Sequence, residues 1–291
     1  MAEFGDVDPY KAPRSETVVL SGSGSGAEGA PLEWEPVEAL RFGFESLKRQ
    51  PIHILTALLA TVIGSALPSI AGFAPQLFAA TDTSLVWLGW VIYVAGFVIN
   101  LPLQAWMGLG QARIALALAR GERPDLSQLF RAEGLMTALG AQLLWLAAFV
   151  IGAAFLLLPG GFLLVRDFQA DASEPNLVGV ALLVGGILVY SPCALFFSAR
   201  FCLLMPAIAE RPSGALAAFG ISWRLTAGQL WVLVLFGLLV MVLFVVAYIL
   251  GLLLCCVGVL ATIPAATMIF YVALCYAYLR RSGREPLLPA A

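Results

Sequence analysis

The chain has 291 residues, 61% of them hydrophobic and only 12% charged, with a formal net charge of -2 and a mean hydropathy of +0.93. A soluble domain carries about 25% charged residues, so this composition excludes one and predicts an integral membrane protein. There is no basic excess, and nucleic acid is not expected as a partner.

Residues 1–32 read as a disordered acidic, Gly/Ser-rich tail: Glu3, Asp6, Asp8, Glu16 and Glu28 outnumber Lys11 and Arg14, and "SGSGSG" is a flexible link. No basic start runs into an apolar core, so a signal peptide is not expected. Gly24, Gly26 and Gly29 match the spacing of a dinucleotide-binding loop. No helix opens after them and no βαβ unit surrounds them, so no cofactor is predicted. Cys193, Cys202, Cys255, Cys256 and Cys275 all lie in apolar stretches without paired metal-ligand spacing, and no metal site is predicted.

The membrane domain is expected over residues 33–287. "VEALRFGFESLKRQPIHIL" opens it as a short amphipathic helix, with Val37, Leu40, Phe44 and Leu47 as an apolar stripe and Arg41, Glu45 and Lys48 opposite. Spans of about 20 apolar residues follow at Ile52–Phe73, Leu85–Leu109, Leu135–Leu158 and Leu177–Phe197. "Leu158-Pro159-Gly160-Gly161" is expected to end or break the third, and Pro68, Pro75, Pro102, Pro192, Pro206 and Pro264 to kink helices. From Leu230 to Leu279 no residue is charged. As one helix that run would reach about 75 Å, so it must fold back, with the turn near Cys255–Gly258. Six transmembrane helices result.

Of the 16 Lys and Arg residues, 15 fall in the termini and the two loops on one side, and only Arg166 falls on the other. The positive-inside rule therefore places both termini in the cytoplasm, and the loop with Asp167, Asp171 and Glu174 outside. After the second, fourth and sixth spans stand "ALARGERPD", "PAIAERPSG" and "YLRRSGREP", each a charged stop closed by Pro124, Pro212 or Pro286. Before the third and fifth spans stand further amphipathic lead-ins, "DLSQLFRAEGLMTALGAQLL" and "GALAAFGISWRLTAGQLWVL", the latter with Leu216, Phe219, Gly220 and Trp223 as its stripe. Asp125 and Ser213 are the expected N-caps. The predicted architecture is thus all-α, in three repeated units at about 33–124, 125–212 and 213–287, each led by a short interfacial amphipathic helix.

Arg113 and Arg200 sit near the ends of even-numbered spans with apolar residues beyond them. They are candidates for contact with lipid phosphate or another anion, with snorkelling to the headgroups as the alternative role. Lys48 and Arg224 occupy matching places in "Ser46-Leu47-Lys48" and "Ser222-Trp223-Arg224" and join the candidate set. His53, the only histidine, reads as an interfacial polar residue. No Asp or Glu lies within a predicted span, and no hydrolase, metalloprotease or phosphate-loop motif occurs, so no catalytic residue is predicted.

"EALRFGFESLKRQP" and "ARFCLLMPAIAERPSGALAAFGISWRLTAGQLWVLV" resemble the corresponding segments of bacterial six-span membrane proteins of uncharacterised function, related to the membrane domain of glycerophosphoryl diester phosphodiesterases. The resemblance covers about residues 33–287 and implies only the membrane module, with no catalytic role to transfer. The expected function is a non-enzymatic module of the bacterial inner membrane that binds lipids or partner membrane proteins, in envelope or phospholipid homeostasis. The alternative is a transporter or permease for a small or amphiphilic solute.

Overall fold

A computed structural model describes residues 31–81, 83–169, 177–254 and 258–289. The tail up to residue 30, Asp171 and Glu174 in the acidic loop, and Cys255 and Cys256 lie outside these. The helices are α1 (Pro36–Arg49), α2 (His53–Thr81), α3 (Val86–Ala119), α4 (Leu135–Gln169), α5 (Leu177–Phe201), α6 (Leu204–Glu210), α7 (Ala215–Leu225), α8 (Leu230–Leu253) and α9 (Val259–Arg281).

Among the described residues, five helical stretches are long and apolar enough to cross a membrane: Val86–Ala119, Leu135–Arg166, Leu177–Glu210, Leu230–Leu253 and Val259–Arg281. The chain is therefore a multi-pass, all-α membrane protein. α9 is the hub. Half of its most apolar window is buried, against 6% for α4 and for the α5–α6 stretch. α1, α2, α3 and α8 pack around α9, whereas α4 and α5 pair mainly with each other.

The run from Leu230 to Leu279 is two helices, since α8 stops at Leu253 and α9 starts at Val259; most of the predicted turn at Cys255–Gly258 lies outside the described residues. Phe236 stacks on Phe270 at 6.2 Å, so the two helices run antiparallel. α4 is different from expectation. It continues through Pro159-Gly160-Gly161 to Gln169. Here the glycines set helix spacing instead of ending a helix. A Cβ on Gly160 would fall 2.4 Å from the backbone nitrogen of Leu183, and one on Gly186 would fall 2.2 Å from the carbonyl oxygen of Leu156. Small residues let two membrane helices approach this closely. Helix continues through Pro102, Pro192 and Pro264 as well. It breaks at Cys202–Leu203, ahead of Pro206, whose missing N–H leaves the carbonyl of Cys202 without its helical donor.

The lead-in segments need three corrections. The first stripe divides: Leu47 is buried, but Val37 and Phe44 are 63% and 54% exposed. The face of α1 against α9 is Ala39, Phe42, Gly43 and Ser46, with Phe42 on Tyr276 at 5.0 Å. The second lead-in is only a 3-10 turn, Leu126–Phe130, although Asp125 caps it by accepting from the amide and hydroxyl of Ser127. Those bonds hold the exposed Asp125 carboxyl below its ordinary pKa. In the third, Gly214 with φ of 99° is the N-cap in place of Ser213. Its buried face is Ala218 and Ser222, while Leu216 is exposed and Trp223 is partly exposed, with its ring against Phe196 and Phe201 of α5.

α3 and α9 end in the same way. Gly121 and Gly283 both take φ of 75°, and the next residue in each case donates back five residues, Glu122 to Ala117 and Arg284 to Leu279. A glycine is needed there because the left-handed conformation crowds any Cβ.

Candidate functional site

The arginine-rich ends of the helices meet in one ion cluster. The Glu210 carboxylate, only 11% exposed, accepts from Arg120, from Arg284 at 2.5 and 2.6 Å, and from the Tyr278 hydroxyl at 2.6 Å. These partners come from the three charged stops seen in the sequence. The Glu210 hydrogen bonds push the Arg284 pKa further above its ordinary value. Around the cluster, Leu287 donates to the Ala119 carbonyl at 2.9 Å, Arg49 to that of Pro289, and Arg281 to that of Leu225. The cluster thus ties the ends of α3, α6 and α9 together.

Inward from the cluster lies a cavity of about 600 Å³ between α2, α3, α4, α5, α6 and α9. Its polar lining is Thr61, Gln104, Gln111, Gln142, Ser198 and Tyr271, and its apolar lining includes Met107, Trp145, Phe201 and Met205. No lining residue carries a formal charge. Gln111 lies about two turns before the end of α3, and Gln142 about two turns after the start of α4. The cavity is therefore about 11 Å in from the arginine-rich ends, at 1.5 Å per residue. Gln104 and Gln111 share one face of α3 because seven residues make nearly two turns. Gln111 is 6% exposed. The Gln142 amide nitrogen donates to Gln104 at 3.4 Å, while its buried carbonyl oxygen has no partner. A buried amide oxygen without a partner costs about 1–3 kcal/mol.

The four cations predicted as a site are not brought to this cavity. The Arg113 guanidinium donates to the carbonyls of Arg131 (2.6 Å) and Glu133, tying α3 to the loop that precedes α4. Arg200 packs its guanidinium over the rings of Trp223 (4.7 Å) and Phe196 (5.4 Å), with Nε and Nη1 buried and unpartnered. Its carbonyl accepts from Ser222 at 2.8 Å and Thr226 at 3.2 Å, which locks α7 to α5. Arg224 is exposed beside that junction. Lys48 is exposed on α1, 5.9 Å from the Phe44 ring. His53 is 3% exposed and bonds Gln50 at 3.1 Å.

Ser222→Ala should cost about 1 kcal/mol, because it removes a buried hydrogen bond and leaves Thr226 as the remaining side-chain donor to Arg200. The thermal midpoint of the purified protein reads this, and Ser222→Thr, which keeps the hydroxyl, is the comparison.

The glutamines carry no charge, so they do not stand out in an apolar span as an Asp or Arg would. "LPLQAWMGLGQAR" does carry a signal, since it places two amides on one face of an otherwise apolar helix. Among the described residues no group of three His, Cys, Asp or Glu could hold a metal ion. The polar groups of the lining are neutral amides and hydroxyls, each able to donate and to accept a hydrogen bond. Compared with protein-family models, curated proteins and solved structures, the chain matches none.

Proposed function

We propose that the protein is a six-span module of the bacterial inner membrane, with both termini cytoplasmic, that binds an amphiphile from the bilayer without catalysis. The uncharged cavity carries the reading, because a mainly apolar wall set with a few amides and hydroxyls suits the two parts of an amphiphile. α2 runs 29 residues, about 43 Å, which exceeds a hydrocarbon core of about 30 Å and supports a sixth span. The like-ended α3 and α9, and the three charged stops that share one cluster, support three repeated units. Val37, Phe44 and Leu216 project as an interfacial helix would require. Such a module fits envelope or phospholipid homeostasis, with membrane proteins meeting the exposed sides of α4 and α5 as further partners.

A second reading, transport of the same kind of solute, is favoured by one feature. The helix break at Cys202–Leu203 lies in the cavity wall, and interrupted helices mark the binding sites of many transporters.

Native mass spectrometry of polymer-extracted protein tests the binding. The wild type should retain an amphiphile that Gln111→Leu and Gln142→Leu lose by about tenfold, the value of one or two neutral hydrogen bonds. Arg113→Ala and Arg200→Ala should retain it. Equal retention in the glutamine variants would remove the cavity from the proposal.

A further inference from the structure

The cavity has an annex. Between α4 and α5, on the side of α7, runs an apolar trench of about 400 Å³, lined by residues from Leu144 to Leu156 on α4 and from Tyr190 to Phe201 on α5. Twelve residues of helix make it about 18 Å long. Its shape follows from the sequence of the two helices. At one end Gly160 and Gly186 bring the backbones into contact. Towards the other end Phe149, Tyr190, Phe197, Trp145 and Phe201 hold the helices apart. Trp145 and Phe201 line both the trench and the cavity, so the two spaces meet at those rings.

We infer that the two spaces together form the site of a single-chain amphiphile with an uncharged polyol head, the head in the cavity and the hydrocarbon chain in the trench. This rests on the binding proposed above and names the ligand class. The head must be uncharged because no described residue in either lining offers a countercharge. An ion moved from water into such a chamber loses several kcal/mol of hydration. The head should be rich in hydroxyls because the lining matches them. An amide or a side-chain hydroxyl both donates and accepts, as a hydroxyl does. The amides of Gln104 and Gln111 and the hydroxyls of Ser198 and Tyr271 supply such groups. One trench, closed at its glycine end, takes one chain.

The test uses the full chain, extracted in styrene–maleic acid polymer because glycoside detergents are themselves such amphiphiles. The probe is a monoacylglycerol with a dibrominated chain, whose bromines quench tryptophan on contact. Trp145 is read as the difference between wild type and Trp145→Phe. The difference signal should be quenched, and non-brominated monoolein should compete. A lysophosphatidylglycerol of the same chain, alike except for its anionic head, should compete about tenfold more weakly. Gly152→Leu should abolish quenching by filling the trench. The Gly152 backbone has room for it, since a Cβ there would meet only Tyr190 Cε2 at 3.6 Å. Gln111→Leu should weaken the probe about tenfold while leaving the thermal midpoint near that of wild type.

Equal competition by the anionic lipid would overturn the inference about the head and leave amphiphile binding standing. Quenching that survives Gly152→Leu would overturn the placement of the chain. Binding of neither lipid, with the variants still folded, would mean a water-filled cavity and would overturn both proposals.

Discussion

Glu210→Ala is expected to destabilise the protein by about 2–3 kcal/mol, more than removal of any one of its cationic partners. The carboxylate, 11% exposed, is the shared acceptor for Arg120, Arg284 and Tyr278, and without it four donated hydrogen bonds lose their target at once. Breaking a fully buried pair costs about 3–5 kcal/mol. The figure here is lower because Arg120 and Arg284 are 34% and 42% exposed and can turn to water. Tyr278 cannot, and it retains most of the penalty. Arg120→Ala and Arg284→Ala should each cost less, since Glu210 keeps its other partners, and the losses should not add. Thermal unfolding of the five proteins, the fifth being Arg120→Ala combined with Glu210→Ala, decides this. An unchanged midpoint for Glu210→Ala would mean that the cluster is an exposed surface pair of little weight.

Gly186→Ala should have a similar effect, about 2–3 kcal/mol, for a steric reason. The added methyl would lie 2.2 Å from the Leu156 carbonyl oxygen and 3.0 Å from its carbon. These are backbone atoms of a continuous helix, so a rotamer change cannot relieve the contact and α4 and α5 must separate. Gly160→Ala meets the backbone of Leu183 at 2.4 Å and should act alike. By contrast, Gly185→Ala, one residue away on the same helix, meets nothing within 4 Å and should leave the midpoint unchanged. The thermal midpoints of the three variants measure the difference. Equal midpoints for all three would show that the α4–α5 contact contributes little to stability.

The two sites of expected damage differ in how far they could be read in advance. The sequence marks where helices stop at the charged ends, because an Arg or Glu is costly in hydrocarbon and Pro cannot continue a helix. Both rules act on a few neighbouring residues. They place Arg120, Glu210 and Arg284 at helix ends correctly, but not against one another, because Arg120 and Glu210 are 90 residues apart and meet only when α3 and α6 pack. By local propensity Pro159-Gly160-Gly161 predicts a break, because those residues weaken an isolated helix. In the folded protein the neighbouring helix uses the missing Cβ atoms, and tertiary packing outweighs local propensity. The stripe on α1 differs from the buried face for a related reason. Val37 and Phe44 are as apolar as Phe42, and hydropathy does not distinguish a face turned to α9 from one turned away from the core.

The sequence by itself determined that this is a multi-pass, all-helical membrane protein and, apart from the stretch through Pro159, where most of its long apolar helices run. Those properties come from the cost of moving each segment from water to hydrocarbon, and each segment bears that cost alone. Only the tertiary structure decided that Gln104, Gln111, Gln142, Ser198 and Tyr271 line a common cavity, and that Arg113 is tied up by loop carbonyls. A polar side chain becomes a site through the residues it converges with. Gln104 and Gln142 are 38 positions apart on different helices, and the distance between them is set by packing that no local pattern encodes.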